Sequence, residues 1–203
     1  MERPHPDEVA AAALPTATLH EAYGRRGALP AAIKPVDPSM RLCGPAVTVR
    51  TMGGQNLRLH EAMYVAEPGD VLVVDASEAV EYGYWGEIMT WAARKRGLGG
   101  LVINGGVRDR DGLVAVGFPV FSNGVCIRGT SKDPDAPGAV NCPIAMGGVT
   151  VEPGDLVVGD ADGVVAIRRL DVPEVVAAAQ RREEREKTLV QMVLDGVRTL
   201  DFI

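Results

Sequence analysis

Residues 71–112 read "VLVVDASEAVEYGYWGEIMTWAARKRGLGGLVINGGVRDRDG". The run "VLVV" is continuously apolar, the pattern of a strand buried on both faces and not of a half-exposed one. "GEIMTWAARKRG" then has helical character between Gly86 and Gly97, the second glycine being a natural residue after a helix end. "GLVIN" is a second buried strand. Strand, helix and strand in this order predict a right-handed βαβ unit. Both strands then finish at the same carboxyl-terminal edge of one sheet, where open α/β folds hold their ligands.

Outward from this unit, "PAVTVRTM" (45–52) predicts a strand and "QNLRLHEAMYVA" (55–66) a short helix closed by "EPGD". That tetrapeptide has Pro second and Gly third, as a type II turn prefers. It returns at 152–155 inside "VTVEPGDLVVGD", an echo better read as two uses of one turn than as a repeat architecture. Downstream, "DGLVAVG" predicts a helix, "FPVFS" a strand, and 128–141 a polar loop. Residues 147–167 predict strands joined by tight turns, and 172–195 a long helix with Asp171 as N-cap and Gly196 beyond its end. A helical segment is expected over about 7–24, where Pro15 can split it. Alternation in the middle and mostly β structure afterwards point to an α/β sandwich.

The chain has 203 residues, enough for one domain spanning 1–203. A net charge of −6, scattered basic residues and 4% aromatics argue against a nucleic-acid partner. Three distant cysteines suggest a reducing compartment, and neither a signal peptide nor a membrane-length apolar stretch is seen, so a cytoplasmic protein is expected.

Several chemistries lack support. His5, His20 and His60 have no partner at metal-ligand spacing and read as surface or packed residues. No G-x-S-x-G, P-loop or dinucleotide fingerprint occurs. The four lysines, 34, 95, 132 and 187, lie outside buried runs, which disfavours a Schiff base. What remains is carboxylate, guanidinium and backbone amide. At "YWGEI" the N–H groups of Gly86, Glu87 and Ile88 start a helix and can cradle a small carboxylate. At "GGVRDRDG" Arg108 and Asp109 follow the second strand. A loop ion pair is the plainer reading, although neighbours at a turn tend to point apart.

The motifs "GPAVTV", "PGDVLVVD", "WGE", "GLVINGGVRDRDGL", "GFPVF" and "VNCPIAMGGVTVEPGDLVVGDADGVVAI" together resemble the RraA-like family over about residues 16–190. That family includes 4-hydroxy-4-methyl-2-oxoglutarate/4-carboxy-4-hydroxy-2-oxoadipate aldolases. The resemblance implies an αββα sandwich like the swivelling phosphohistidine domain. It also implies a homotrimer or dimer of trimers with active sites between subunits. For function it implies a class II pyruvate aldolase, using Mg²⁺ or Mn²⁺ on small 2-oxo acids and also able to decarboxylate oxaloacetate. By the same resemblance Asp109 anchors the metal, Arg108 contacts the pyruvyl oxygen, and Glu87 holds metal-bound waters and steers one as the base. The amides of Gly86, Glu87 and Ile88 hold the pyruvate carboxylate. A glutamate of the neighbouring subunit's C-terminal helix completes the water shell, Glu184 fitting better than Glu183 or Glu186. The alternatives are a non-catalytic inhibitor of ribonuclease E, as the family's namesake is, and an enzyme for another keto acid. Asn104 and the aromatic "EYGYW" depart from common family patterns, and Tyr82, Tyr84 and Trp85 are expected either to narrow the pocket or to pack between subunits.

Overall fold

A computed structural model describes residues 14–77 and 79–202. In chain order it contains α1 (Thr16–Ala22), β1 (Lys34–Pro35), β2 (Leu42–Thr51), α2 (Leu57–Val65), β3 (Val71–Asp75) and β4 (Gly83–Trp85). There follow α3 (Glu87–Lys95), β5 (Gly100–Val107), α4 (Arg110–Val116), β6 (Val120–Val125), β7 (Gly138–Val140) and β8 (Ile144–Met146). The chain ends with β9 (Val149–Val151), β10 (Leu156–Gly159), β11 (Val164–Ile167) and α5 (Val172–Leu194).

The βαβ unit is present as expected. β3 pairs in parallel with both β2 and β5, and β5 in parallel with β6. All eight residues of β5 are buried, which explains its unbroken apolar and glycine run. The sheet runs β1–β6–β5–β3–β2–β10–β11, and a bridge from Ala28 to Val165 brings its two ends close together. This curling makes two β layers. On β10 and β11, Leu156, Val158, Val165 and Ile167 face α1 and α5, whereas Val157, Val164 and Ala166 face the main core. Helices on both outsides complete the α/β sandwich.

Several expectations need correction. Gly83–Trp85, just before α3, form a strand that pairs with the end of β5, an element the sequence did not predict. The polar stretch 128–141 contains β7, which adds to β2. Lys34 and Pro35 pair with β6, a short strand the sequence did not predict. Helix α1 starts directly after Pro15, while the predicted turns at 7–13, and His5, lie outside the described residues. Asp171 does precede α5, but it makes no side-chain cap. Its carboxylate instead accepts the Tyr23 hydroxyl at 2.9 Å, tying α5 to α1.

Candidate active site

The end of β5 and the start of α3 meet at the parallel sheet's carboxyl edge. The Arg108 amide donates to the Trp85 carbonyl (2.9 Å), locking β5 to β4 where the chain turns outward. Asp109 adopts a left-handed conformation, φ 59° and ψ 41°, uncommon for a residue other than glycine. This turn carries its carboxylate back towards α3, where the Glu87 amide donates to Asp109 Oδ2 at 3.2 Å. A Cβ on Gly86 would lie 2.4 Å from that same oxygen. Glycine at 86 is therefore a condition of the carboxylate's position.

Arg108 Nε stands 3.8 Å from Asp109 Oδ2, both side chains being 48% exposed. The neighbours do not diverge as expected, because the left-handed residue folds the carboxylate back. The separation is still too long for a hydrogen bond, so each group keeps capacity for a ligand. Both open into a cleft of about 260 Å³, which Gly86 and Ile88 also line.

The same cleft contains residues that sequence reasoning passed over: Asn56, His60, Tyr84 and Lys132. His60, read from the sequence as a surface or packed residue, lines this cleft. Asn56 and His60 lie one helical turn apart at the start of α2, on one face. Asn56 Nδ2 donates to the Tyr84 carbonyl (3.0 Å), and the Gly54 amide donates to the Tyr84 hydroxyl (2.9 Å). These bonds fasten the start of α2 to the strand that leads into Gly86. Asn56 Oδ1 is buried and accepts no hydrogen bond from the described residues. Burial, reinforced by the charge of Lys132, holds the His60 imidazole below its usual pKa, so it is neutral at neutral pH. The pairing of Asn56 with a histidine four residues on is the only local signal of this wall; Lys132 sits in a polar loop that gives none.

Glu87 is placed differently from its amide. Its carboxylate accepts the Trp91 indole N–H at 3.3 Å and lies against Gly112, whose added Cβ would meet Oε2 at 2.6 Å. It is beside α4 and does not line the cleft. On α5, Glu183 accepts the Thr18 hydroxyl (2.6 Å), Glu184 pairs with Lys187, and Glu186 with Arg182. None of the three lines the cleft of its own chain. Tyr84 and Trp85 are fully buried within the chain, so neither packs at a subunit surface. Trp85 stacks on Phe118 and donates to Thr90 Oγ1 (2.7 Å), while Tyr84 lines the cleft. Asn104 is buried and joins β5 to β3, accepting from the Ala76 amide and donating to Asp75.

Among the described residues no group of three or more His, Cys, Asp or Glu side chains could enclose a metal ion. An all-protein cage for zinc or calcium is thus not formed among the described residues. A single half-exposed carboxylate, set against a glycine that leaves it room, is a donor set that fits Mg²⁺ or Mn²⁺, which keep several waters. Among the described residues no helix is long and apolar enough to cross a membrane.

A family model described as RraA-like, Aldolase/RraA, matches residues 16–166. A protein of Halalkalibacterium halodurans named as a candidate 4-hydroxy-4-methyl-2-oxoglutarate aldolase is 34% identical over 184 residues, covering 91% of this chain and 87% of that protein. Streptomyces coelicolor RraAS2, described as an unusual member of the RNase ES inhibitor RraA protein family, has a similar structure. Its TM-score is 0.83 at 30% identity, with 93% of this chain and 98% of that one covered. An uncharacterized protein from Pseudomonas syringae pv. tomato also superposes at a TM-score of 0.83, with 29% identity and coverage of 98% and 97%.

Proposed function

The chain belongs to the RraA-like family, and from that premise we propose that it is a metal-dependent pyruvate aldolase. Its substrates are 2-oxo dicarboxylic acids of the 4-hydroxy-4-methyl-2-oxoglutarate type, with oxaloacetate decarboxylation as a side activity. The observation that carries this reading is the convergence of Arg108, Asp109 and Lys132 on one cleft. Two cations and a half-exposed carboxylate in a space of this size suit a small dianion bound together with a hard cation. The name of the Halalkalibacterium relative supports the same reading.

Cleavage of the carbon–carbon bond leaves a pair of electrons that must spread onto the 2-oxo oxygen as an enolate. Mg²⁺ or Mn²⁺, held by Asp109, would supply Lewis-acid polarisation of that oxygen. Arg108 places a permanent positive charge beside it, where negative charge grows during the reaction. The Ile88 amide, in the unpaired first turn of α3, binds the carboxylate next to the 2-oxo group. Lys132 on the opposite wall holds the second carboxylate. In a trimer or pair of trimers, α5 of a neighbouring subunit would bring Glu184 to the open side of the cleft.

A coupled assay of pyruvate release from 4-hydroxy-4-methyl-2-oxoglutarate and from oxaloacetate, with Mg²⁺ or with EDTA, tests the proposal. Metal-dependent turnover is expected, reduced by about 10³-fold or more in Asp109→Ala, as for loss of a principal charge-stabilising group. Persistence of activity in that variant under full chelation would overturn it. Silence on both substrates together with inhibition of ribonuclease E would assign the chain to the regulator class.

A further inference from the structure

Binding of the second carboxylate depends on a lysine that no regular element carries. Lys132 lies between β6 and β7, outside any helix or strand. Its ammonium is a point charge on a flexible four-carbon stem, so the backbone beneath it decides whether the charge stays at the cleft. It does stand there. Lys132 lines the cleft, and its charge is, after burial, what lowers the His60 pKa.

The residues on either side of Lys132 are both bonded to one tripeptide, Gly54–Asn56. Before the lysine, Ser131 donates its amide to the Gly54 carbonyl (2.7 Å) and accepts the Asn56 amide (3.1 Å), a parallel bridge alongside Gln55. After the lysine, the Asp133 amide donates to Gln55 Oε1 at 3.1 Å. Gln55 is itself anchored near the end of β2. Its amide donates to the Met52 carbonyl (3.1 Å), and its carbonyl accepts the Thr51 hydroxyl (2.8 Å). Asn56 Nδ2 ties the same tripeptide to the Tyr84 carbonyl (3.0 Å), on the strand that leads into Gly86. The lysine wall and the Gly86 wall are thus joined through these residues. Arg58 adds a bond to the Pro134 carbonyl (3.1 Å), one residue farther from the lysine.

We propose that Gln55 is a positioning residue for Lys132, fixing the span between the ammonium and the first-turn amides of α3 so that the cleft takes a dicarboxylate in preference to a monocarboxylate. The inference rests on the aldolase reading above. Gln55 does not itself line the cleft and acts only through the Asp133 amide. Without that bond the backbone after Lys132 gains freedom, which must be lost again when the second carboxylate binds. The first carboxylate, on the Ile88 amide, is not affected.

Two uncleaved ligands separate these effects: pyruvate carries only the first carboxylate, and 2-oxoglutarate carries both. In calorimetric titrations of the whole protein with Mg²⁺, wild type should bind 2-oxoglutarate about tenfold or more tighter than pyruvate. Gln55→Met keeps a long side chain but removes the acceptor. It should weaken 2-oxoglutarate about tenfold and pyruvate less than about twofold, the size of a lost contact to a charged group. Gln55→Glu restores an acceptor and should stay within about threefold of wild type for both ligands. Lys132→Met should show the same selective loss, and adding Gln55→Met to it should change nothing further, because the two act through one contact. In turnover of 4-hydroxy-4-methyl-2-oxoglutarate, Gln55→Met raises KM about tenfold with kcat little changed. Parallel losses for both ligands, full affinity in Gln55→Met, or Gln55→Glu as weak as Gln55→Met would each overturn the assignment. So would independent losses in the double variant, or a wild type without preference for the dicarboxylate. Wild-type protein that releases no pyruvate from either substrate refutes the aldolase reading instead, while the ligand comparison still judges Gln55.

Discussion

Two identical tetrapeptides, Glu67–Asp70 and Glu152–Asp155, open the two strands that flank β2. Their turns match closely. Gly69 and Gly154 have φ of 88° and 89°. Asp70 and Asp155 each accept the amide of the glutamate three residues back, at 2.8 and 2.9 Å. Beyond the turns the copies part. β3 joins β2 in parallel, Ala46 facing Val71, and its turn bonds to the backbone at Gly97 and Gly99. β10 joins β2 antiparallel, Pro45 facing Leu156, and its turn bonds to Ala46. The parallel copy lies in the half of the sheet whose carboxyl edge holds the cleft. The antiparallel copy ends at Asp160, whose carboxylate is used to hold Thr16 of α1, through amide and hydroxyl at 2.9 and 2.6 Å. One local sequence opens a strand towards the candidate cleft in one place and towards internal fastening in the other, and strand direction makes the difference.

Gly44 is where this arrangement breaks most readily. It pairs with Val157 on one side, and on the other a Cβ would meet the Gly69 carbonyl oxygen at 2.2 Å. Gly44→Ala should cost about 3 kcal/mol in urea unfolding, the upper range for forcing an atom into a packed interior. A loss under about 1 kcal/mol would mean that the first turn can move away from β2.

The two buried aspartates of the antiparallel half sharpen the comparison through pH. Burial pushes Asp160 up, but the Thr16 hydroxyl and amide, the Asp162 amide and Arg41 outweigh it and leave its pKa lowered. Its stabilisation is present above the ordinary aspartate value and disappears as pH falls through the lower folded value. Asp155 is raised, chiefly by burial, so its contribution is present in acid and is lost as pH rises through the folded value. Asp160→Asn should cost about 2 kcal/mol at pH 7, as for hydrogen bonds to a charged group, and much less near pH ~3. Asp155→Asn should cost less at pH 7 than at acid pH. Chemical denaturation at both pH values checks the pair, and equal losses for both variants at pH 7 would remove the distinction.

The smallest effect tests the turns themselves. Gly69→Ala and Gly154→Ala both place a side chain at positive φ, for about 1 kcal/mol each. At Gly69 the added Cβ meets no atom within 4 Å, so the backbone conformation sets the loss there. Paired melting curves should agree to about 0.5 kcal/mol; a clear inequality would show that the turns are not energetically alike.

The strands near 71–75 and 101–107, the helix after Gly86 and both turns were legible because each depends on its own residues. The short strands were not. β7 has one large apolar residue, Val140, and no period to detect, and β4 places Tyr84 and Trp85 in succession, both buried because neighbours cover both faces. Arg108 and Asp109 could be singled out as a pair at a strand end, but Asp109's return towards Gly86 depends on its left-handed backbone. His60 read as a packed residue because no ligand partner lies near it in sequence.

By itself the sequence determined the turns and the buried strands, since the positive φ of those turns strongly favours glycine and an unbroken apolar run requires cover on both faces. The order and direction of the strands belong to the tertiary structure. So does the meeting of His60, Arg108, Asp109 and Lys132 in one cleft, because residues dozens of positions apart become neighbours only when the whole sheet is assembled.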